Sequence, residues 1–185
     1  MISPLRQRTY RRLFAAQVLS LIGTGLMTLA LALLAHDLAG GSAGVVIGTI
    51  LMLKMIAYVG FAPFVAALAQ RLPVKPLLVG LDLLRLSLVA LLPFVDQVWQ
   101  VYCAVFVIQL ASAAFTPAFQ SLIPEVLPEE RDYTQALALS RLAYDLESLL
   151  SPLIAGLLLT LLSGSDLFLG TAAGFAASAA LVVSP

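Results

Sequence analysis

The sequence predicts an all-α membrane protein with six transmembrane helices. Three observations carry that expectation. Of 185 residues, 61% are hydrophobic and 11% charged, against roughly 25% charged in soluble domains; a soluble fold of this length has no core large enough to hide so much apolar surface. Six windows of mostly apolar residues, each near the length that crosses a bilayer, follow one another at 13–35, 44–69, 77–95, 98–122, 138–162 and 166–184. The links between them are short, which forces up-and-down neighbours and leaves no room for a soluble domain. Residues 1–185 therefore read as a single transmembrane domain.

The first window follows basic residues, as the core of a signal peptide does. It is uncharged from Leu13 to Leu34, long enough to span, and no small-residue cleavage site follows it directly, so it is expected to remain as the first helix. Orientation follows from Lys and Arg. Arg6, Arg8, Arg11 and Arg12 precede the first helix, Arg71 and Lys75 follow the second, and Arg131 follows the fourth. The alternate loops carry Asp37, Asp96 and Asp166 and no basic residue, which places both termini in the cytoplasm. Trp99 and Tyr102, at the outer start of the fourth helix, and Tyr10 and Phe14, at the inner start of the first, fit interfacial anchors. The acidic run from Pro124 to Asp132 reads as a solvated cap before the fifth helix.

Two windows echo each other. Phe61-Ala62-Pro63-Phe64-Val65-Ala66-Ala67-Leu68 in the second and Leu150-Ser151-Pro152-Leu153-Ile154-Ala155-Gly156-Leu157 in the fifth both place proline after a small residue, then two apolar and two small residues. Second and fifth are equivalent positions if the chain is two three-helix units. Three is odd, so the second unit enters from the opposite side, giving the inverted repeat found in many secondary transporters. Pro63, Pro117 and Pro152 are the expected helix-bend positions, since each lacks an amide hydrogen for the backbone ladder.

Charges inside the windows are the candidates for chemistry. An ionised Lys54, near the middle of the second window, costs roughly 2.5–3.5 kcal/mol at that depth. It reads either as a substrate or proton-coupling group lining an aqueous path, or as a structural ion pair or a helix shifted in depth. Arg141 and Asp145 are four apart and share a helix face, whereas Glu147 points about 200° away from Asp145. Both acids read as path groups or as an interfacial helix end. Asp82 and Arg85, three apart, read as a conformational latch near the inner surface. Gly44/Gly48 and Gly170/Gly174 have the spacing that lets helices approach closely. Gln17, Ser20, Thr24, Gln109, Ser112 and Thr116 either line a polar cavity or bond between helices.

Other classes are disfavoured. Net charge is zero, so nothing points to a nucleic-acid partner. One cysteine (Cys103) and one histidine (His36) are too few for a Cys/His metal cluster or an intrachain disulfide, and no cofactor is expected. An intramembrane serine protease needs a histidine inside the membrane, and His36 lies in a loop. The short loops also leave no extended cytoplasmic coupling helices of the ABC type. A six-helix membrane protein that binds another membrane protein without transporting anything remains an alternative.

Taken together, the arginine-rich start leading into Leu13-Phe14-Ala15-Ala16-Gln17, the Ser20-Leu21-Ile22-Gly23 stretch, the Asp82/Arg85 pair, and Ala136-Leu137-Ala138-Leu139 followed by Ser151-Pro152-Leu153-Ile154-Ala155-Gly156 resemble the major facilitator superfamily. The likeness is to the N-terminal six-helix half of a bacterial drug-efflux-like member, and it covers essentially the whole chain. The family's loop after the second helix is G-x-x-x-D-R-x-G-R-R-like; here it is Ala66-Ala67-Leu68-Ala69-Gln70-Arg71-Leu72-Pro73-Val74-Lys75. Arg71 and Lys75 are kept, while Gln70 replaces an aspartate that latches the inner gate and Ala66 replaces the first glycine. The antiporter-like motif of the fifth helix is present only as Ser151-Pro152-Leu153-Ile154-Ala155-Gly156.

The resemblance implies half of a major facilitator fold in a bacterial cytoplasmic (inner) membrane, not an enzyme, exporting small organic solutes or drugs by proton-coupled alternating access. It puts the first, second, fourth and fifth helices along the path. Lys54, Asp145, Glu147, Gln17 and Gln109 are then the substrate or proton-coupling candidates, and Gln70, Arg71, Lys75, Asp82, Arg85 and Arg141 the gating candidates. Family members have two six-helix halves and this sequence stops at Pro185, so the chain is expected either to be a fragment or to pair with a second half or a copy of itself.

Overall fold

The computed structural model describes residues 3–61, 63, 64, 67, 72–159 and 164–183. Among these, six long helices follow one another: α1 (Arg8–Ala39), α2 (Ala43–Met55), α3 (Val74–Leu91), α4 (Val98–Val126), α5 (Glu130–Leu159) and α6 (Gly164–Val183). Four helical stretches of the described residues are long and apolar enough to cross a membrane: Arg8–Phe61, Val74–Phe94, Val98–Val126 and Asp166–Val183. The first has 54 residues; as one straight rod it would be about 80 Å long, far more than a bilayer core of about 30 Å. It is two helices. Gly40 takes φ +48°, a short 3-10 turn spans Gly40–Ser42, and α2 packs back on α1. Only glycine adopts that φ without strain. The fifth expected window is helical, but α5 carries Arg141, Asp145 and Glu147 along its middle and is not among the four apolar stretches.

Several boundaries differ from the sequence reading. α5 begins at Glu130, eight residues before the expected window, so Glu130 and Asp132 lie in its first turn, where a helix N-terminus favours negative charge. The acidic run is therefore helix start more than cap. α4 continues through Pro117 and Pro124 to Val126. It starts from a capping box in which the Gln97 and Gln100 side chains engage each other's backbone amides. In α2 the α-helix gives way to a π-turn over Ile56–Phe61, just before Pro63. Pro63 has no amide hydrogen and its ring crowds the preceding turn, and a widened turn relieves both.

α1 and α4 stand at the centre. α1 packs on α6 and α5, α4 packs on α3 and α2, and α3 meets α6. The apolar core falls into two clusters. One, around Leu31, Val46, Val101 and Phe168, lies at the end holding the Gly40 turn; the other, around Tyr10, Leu78, Phe119 and Val182, lies at the end where the chain begins. Between them four helices carry buried polar groups: Ser20 on α1, Asp82 and Arg85 on α3, Gln109 and Ser112 on α4, Thr171 and Ser178 on α6. The molecule thus has a polar belt at mid-height.

The two glycine pairs behave differently. A Cβ on Gly174 would come within 3.0 Å of the Leu19 carbonyl oxygen and 3.2 Å of Gly23 Cα, and one on Gly170 within 3.3 Å of Leu26, so α1 and α6 touch backbone to backbone. Among the described residues nothing lies within 4 Å of a Cβ on Gly44 or Gly48, so the close approach expected there is absent among them. Tyr10 also departs from its expected place as an interfacial anchor. It is fully buried, stacks on Phe14 and donates to the Ala136 carbonyl at 3.2 Å, because the start of α5 covers it. Trp99 is exposed, as an anchor should be. Gly174→Ala should lower stability by about 1–3 kcal/mol through overpacking, whereas Gly48→Ala should hold or slightly raise it, as thermal unfolding in detergent would register.

Candidate functional site

The polar belt is centred on α3. Asp82 and Arg85, one helical turn apart, form an ion pair whose side chains are 0% and 2% exposed. Both lie about halfway along the 18-residue helix, deeper than the inner-surface position expected of a latch. The Ser178 hydroxyl of α6 donates to the other Asp82 oxygen at 2.6 Å, and Arg85 Nε donates to the Leu81 carbonyl at 3.4 Å. The guanidinium carbon lies 4.5 Å from the Phe115 ring centre on α4 and 4.6 Å from that of Phe175 on α6. Charge, hydrogen bonds and two aromatic faces together replace the water that a buried cation forgoes. Phe175 in turn packs beside Gly23, so the glycine crossing helps fix the charge site.

Around this pair lie groups from the helices that line its open side. Tyr58, in the π-turn of α2, is within electrostatic reach of Tyr144, Arg85 and Glu147. Tyr144 of α5 shares a 2.8 Å hydrogen bond with Thr116 of α4. Near the chain's starting end, Ser140 of α5 donates to Gln17 Oε1 of α1 at 3.0 Å, with both residues buried. Gln17 and Thr116 thus bond between helices. Ser112 and Thr24 return their hydroxyls to the preceding turn of their own helices. Gln109 is 4% exposed, and its Oε1 has no partner among the described residues.

The sequence-derived charges separate into different environments. Arg141 and Asp145 pair at 3.4 Å with side chains 82% and 57% exposed, a geometry worth little in stability. Glu147 points elsewhere: it lines a cleft of about 390 Å³ between α1 and α5 whose other walls, including Phe14, Val18, Leu26, Ala143 and Leu146, are apolar. Lys54 is half-buried on α2, one turn before Tyr58, and has no ion-pair partner among the described residues. Lys75 is exposed in the first turn of α3. Gln70 and Arg71 lie outside the described residues, as does the Pro152 side chain, while the α5 backbone is helical at that position. No group of three or more metal-ligating side chains occurs among the described residues.

Sequence reasoning missed Tyr58, Tyr144, Ser140 and Ser178. A spacing signal was available for each: Tyr58 is four residues after Lys54, Ser140 and Tyr144 are four apart, and Ser178 is four residues after Gly174. Those intervals put each on a face already marked by a polar or close-packed neighbour.

A helical bundle with a buried mid-height ion pair and charged groups on its open helices is the build of a polytopic membrane protein. Residues 13–184 match the Major Facilitator Superfamily, and the chain belongs to that family. It is 26% identical over 151 residues to macrolide efflux protein A of Streptococcus pyogenes, covering 79% of this chain and 36% of that protein. It is 28% identical over 112 residues to macrolide efflux protein A of Enterococcus faecalis, covering 58% and 34%. The chain thus spans about a third of the length of the curated relatives it matches. No solved structure matches it significantly.

The buried pair makes a sharp prediction. Asp82→Asn should leave the Arg85 charge uncompensated and lower stability by about 3–5 kcal/mol. Asp82→Asn combined with Arg85→Gln should lose distinctly less, and chemical unfolding in mixed micelles would compare the two.

Proposed function

We propose that the chain is one half of a secondary active transporter that exports small organic solutes or drugs by proton-coupled alternating access. The observation that carries this reading is the family match across 13–184, joined to relatives named for macrolide efflux. Macrolides are accordingly the first substrates to try.

The packing supports two inverted three-helix repeats. α1 meets α6 and α5 as α4 meets α3 and α2, and α3 meets α6, its own counterpart. α2 and α5 also leave apolar surface open. α2 buries Val46 and Ile50 on one face and exposes Val45, Leu51, Met52 and Met55 on the other; beyond it Ala57 is buried, and Val59 and Phe64 are exposed. α5 is tied down at its start through Ala136 and Ser140 and exposes Leu149, Leu153 and Leu157 later. Open faces of this kind suit a body that rocks against another. We assign their open faces to a second six-helix half or a copy of this chain, within a bacterial inner membrane and with both termini cytoplasmic.

Within this scheme Lys54 and Glu147 are the substrate or proton-coupling groups, since both lie within helices facing the open side. Gln70, Arg71 and Lys75 serve the inner gate. Arg141 and Asp145 brace α5 where it leaves the bundle.

Lys54→Ala should reduce proton-driven macrolide flux in proteoliposomes at least about tenfold, a barrier change of ~1.4 kcal/mol, with membrane insertion unchanged; wild-type flux in this variant would remove Lys54 from the mechanism. Reporter tags at either terminus should both report the cytoplasm, and an external position for either would reverse the orientation.

A further inference from the structure

We propose that the arginine-bearing face at the start of α1 is a docking surface for anionic phospholipid, with headgroup phosphates held by Arg8, Arg11 and Arg12. The proposal goes beyond the transport reading and holds whichever solute is moved. At about 100° per residue, the three arginines fall within an arc of about 100° on α1. Tyr10 and Leu13, the buried residues of the same stretch, lie about 180° from the middle of that arc. The bundle side of this segment is fixed, since Tyr10 stacks on Phe14 and donates to the Ala136 carbonyl. The arginines are exposed and face away from the other helices.

Depth selects lipid as the partner. The uncharged run begins at Leu13, directly after Arg12, and Arg8 lies about 7.5 Å before it by helix rise. The headgroup layer on each side of a bilayer core is about 5–8 Å thick. The guanidiniums therefore stand at the height of the phosphates and point outward into them. A soluble partner would have to displace lipid to reach the same face.

No carboxylate of the chain neutralises these charges. Glu125, Glu129, Glu130 and Asp132 lie at the same end, beside Leu127 and Ala136 of the core cluster that holds Tyr10. None of them pairs with an arginine of α1 among the described residues. Arg8 and Arg12, four apart, share a side of the helix and can grip one phosphate through charge-assisted hydrogen bonds. Arg11 is next to them around the helix and is left for a second. Each basic residue so placed is drawn by the negative potential of an anionic leaflet.

Native mass spectrometry and thermal unfolding of the full chain in detergent micelles test this, with phosphatidylglycerol and phosphatidylcholine as probes. Wild-type protein should hold phosphatidylglycerol at least about tenfold more tightly and unfold at a higher temperature in its presence. Arg8→Gln, Arg11→Gln and Arg12→Gln together should remove that preference. Lysine at the same three positions should keep most of it, because the charges remain although the planar fork is lost. Arg131→Gln, which removes a cation outside the arc, should change it less than about twofold. In the wild type the preference should fall as salt rises from about 0.05 to about 0.5 M, since exposed charges are screened.

Equal retention of the two lipids by the wild type overturns the proposal. So does a preference indifferent to salt, or one unaltered in a triple glutamine variant that is folded by circular dichroism. A loss with Arg131→Gln as large as with the triple variant would spread the preference over the whole end and overturn the assigned face. Displacement of phosphatidylglycerol by millimolar inorganic phosphate would make this a site for free phosphate, and preferential binding of heparin a surface for a soluble polyanion; either overturns the lipid assignment. Micelles have no cytoplasmic side, so the orientation of the termini stands or falls on the reporter tags alone.

Discussion

In a bilayer core every buried polar group must find its partner inside the protein, because no water is there to supply one. The Asp82–Arg85 pair is where this constraint presses hardest, and the surrounding helices are arranged to meet it. α3 supplies both charges, α6 supplies Ser178 and Phe175, and α4 supplies Phe115. Three helices are thereby held in one register at mid-height. The apolar clusters above and below seal the belt from either surface.

The α1–α6 crossing is the second half of the same solution. Small residues at Gly23, Gly170 and Gly174 let two backbones touch, and dispersion at that separation holds helices together where the hydrophobic effect gives no drive. Phe175 belongs to both arrangements, since it lies beside Gly23 on one side and under Arg85 on the other. Packing and electrostatics therefore depend on each other. A shift of α6 along α1 would move the aromatic face away from the guanidinium.

What this rigid back layer leaves over is informative. α2 and α5 present broad apolar faces; among the described residues α5 is tied to the bundle through polar contacts to Tyr10, Gln17 and Thr116. The π-turn before Pro63 interrupts the backbone ladder of α2 beside the belt, where a change of shape is least expensive. Lys54, which has no ion-pair partner among the described residues, and Glu147, on the wall of the α1–α5 cleft, also belong to these two helices. The buried ion pair and the candidate groups for chemistry thus lie on different helices.

Much of this was legible in the sequence. Apolar windows and short links set the number and order of the helices, because span length is fixed by membrane thickness. Helical spacing alone paired Arg141 with Asp145 and turned Glu147 away from them. The glycine pairs were equally visible, but their letters are the same at Gly44/Gly48 and at Gly170/Gly174, and only the neighbour across the gap tells a tight crossing from an open face. For the same reason Tyr10 read as an anchor and proved to be core, once α5 was seen to lie over it. The depth of Asp82 and Arg85 depended on where α3 begins, and their satisfaction on Ser178, Phe115 and Phe175, which are distant in the chain. Periodicity reports what one helix can offer; which offers are taken up is decided by tertiary contact, since a buried charge is tolerable only when residues far apart in sequence converge on it.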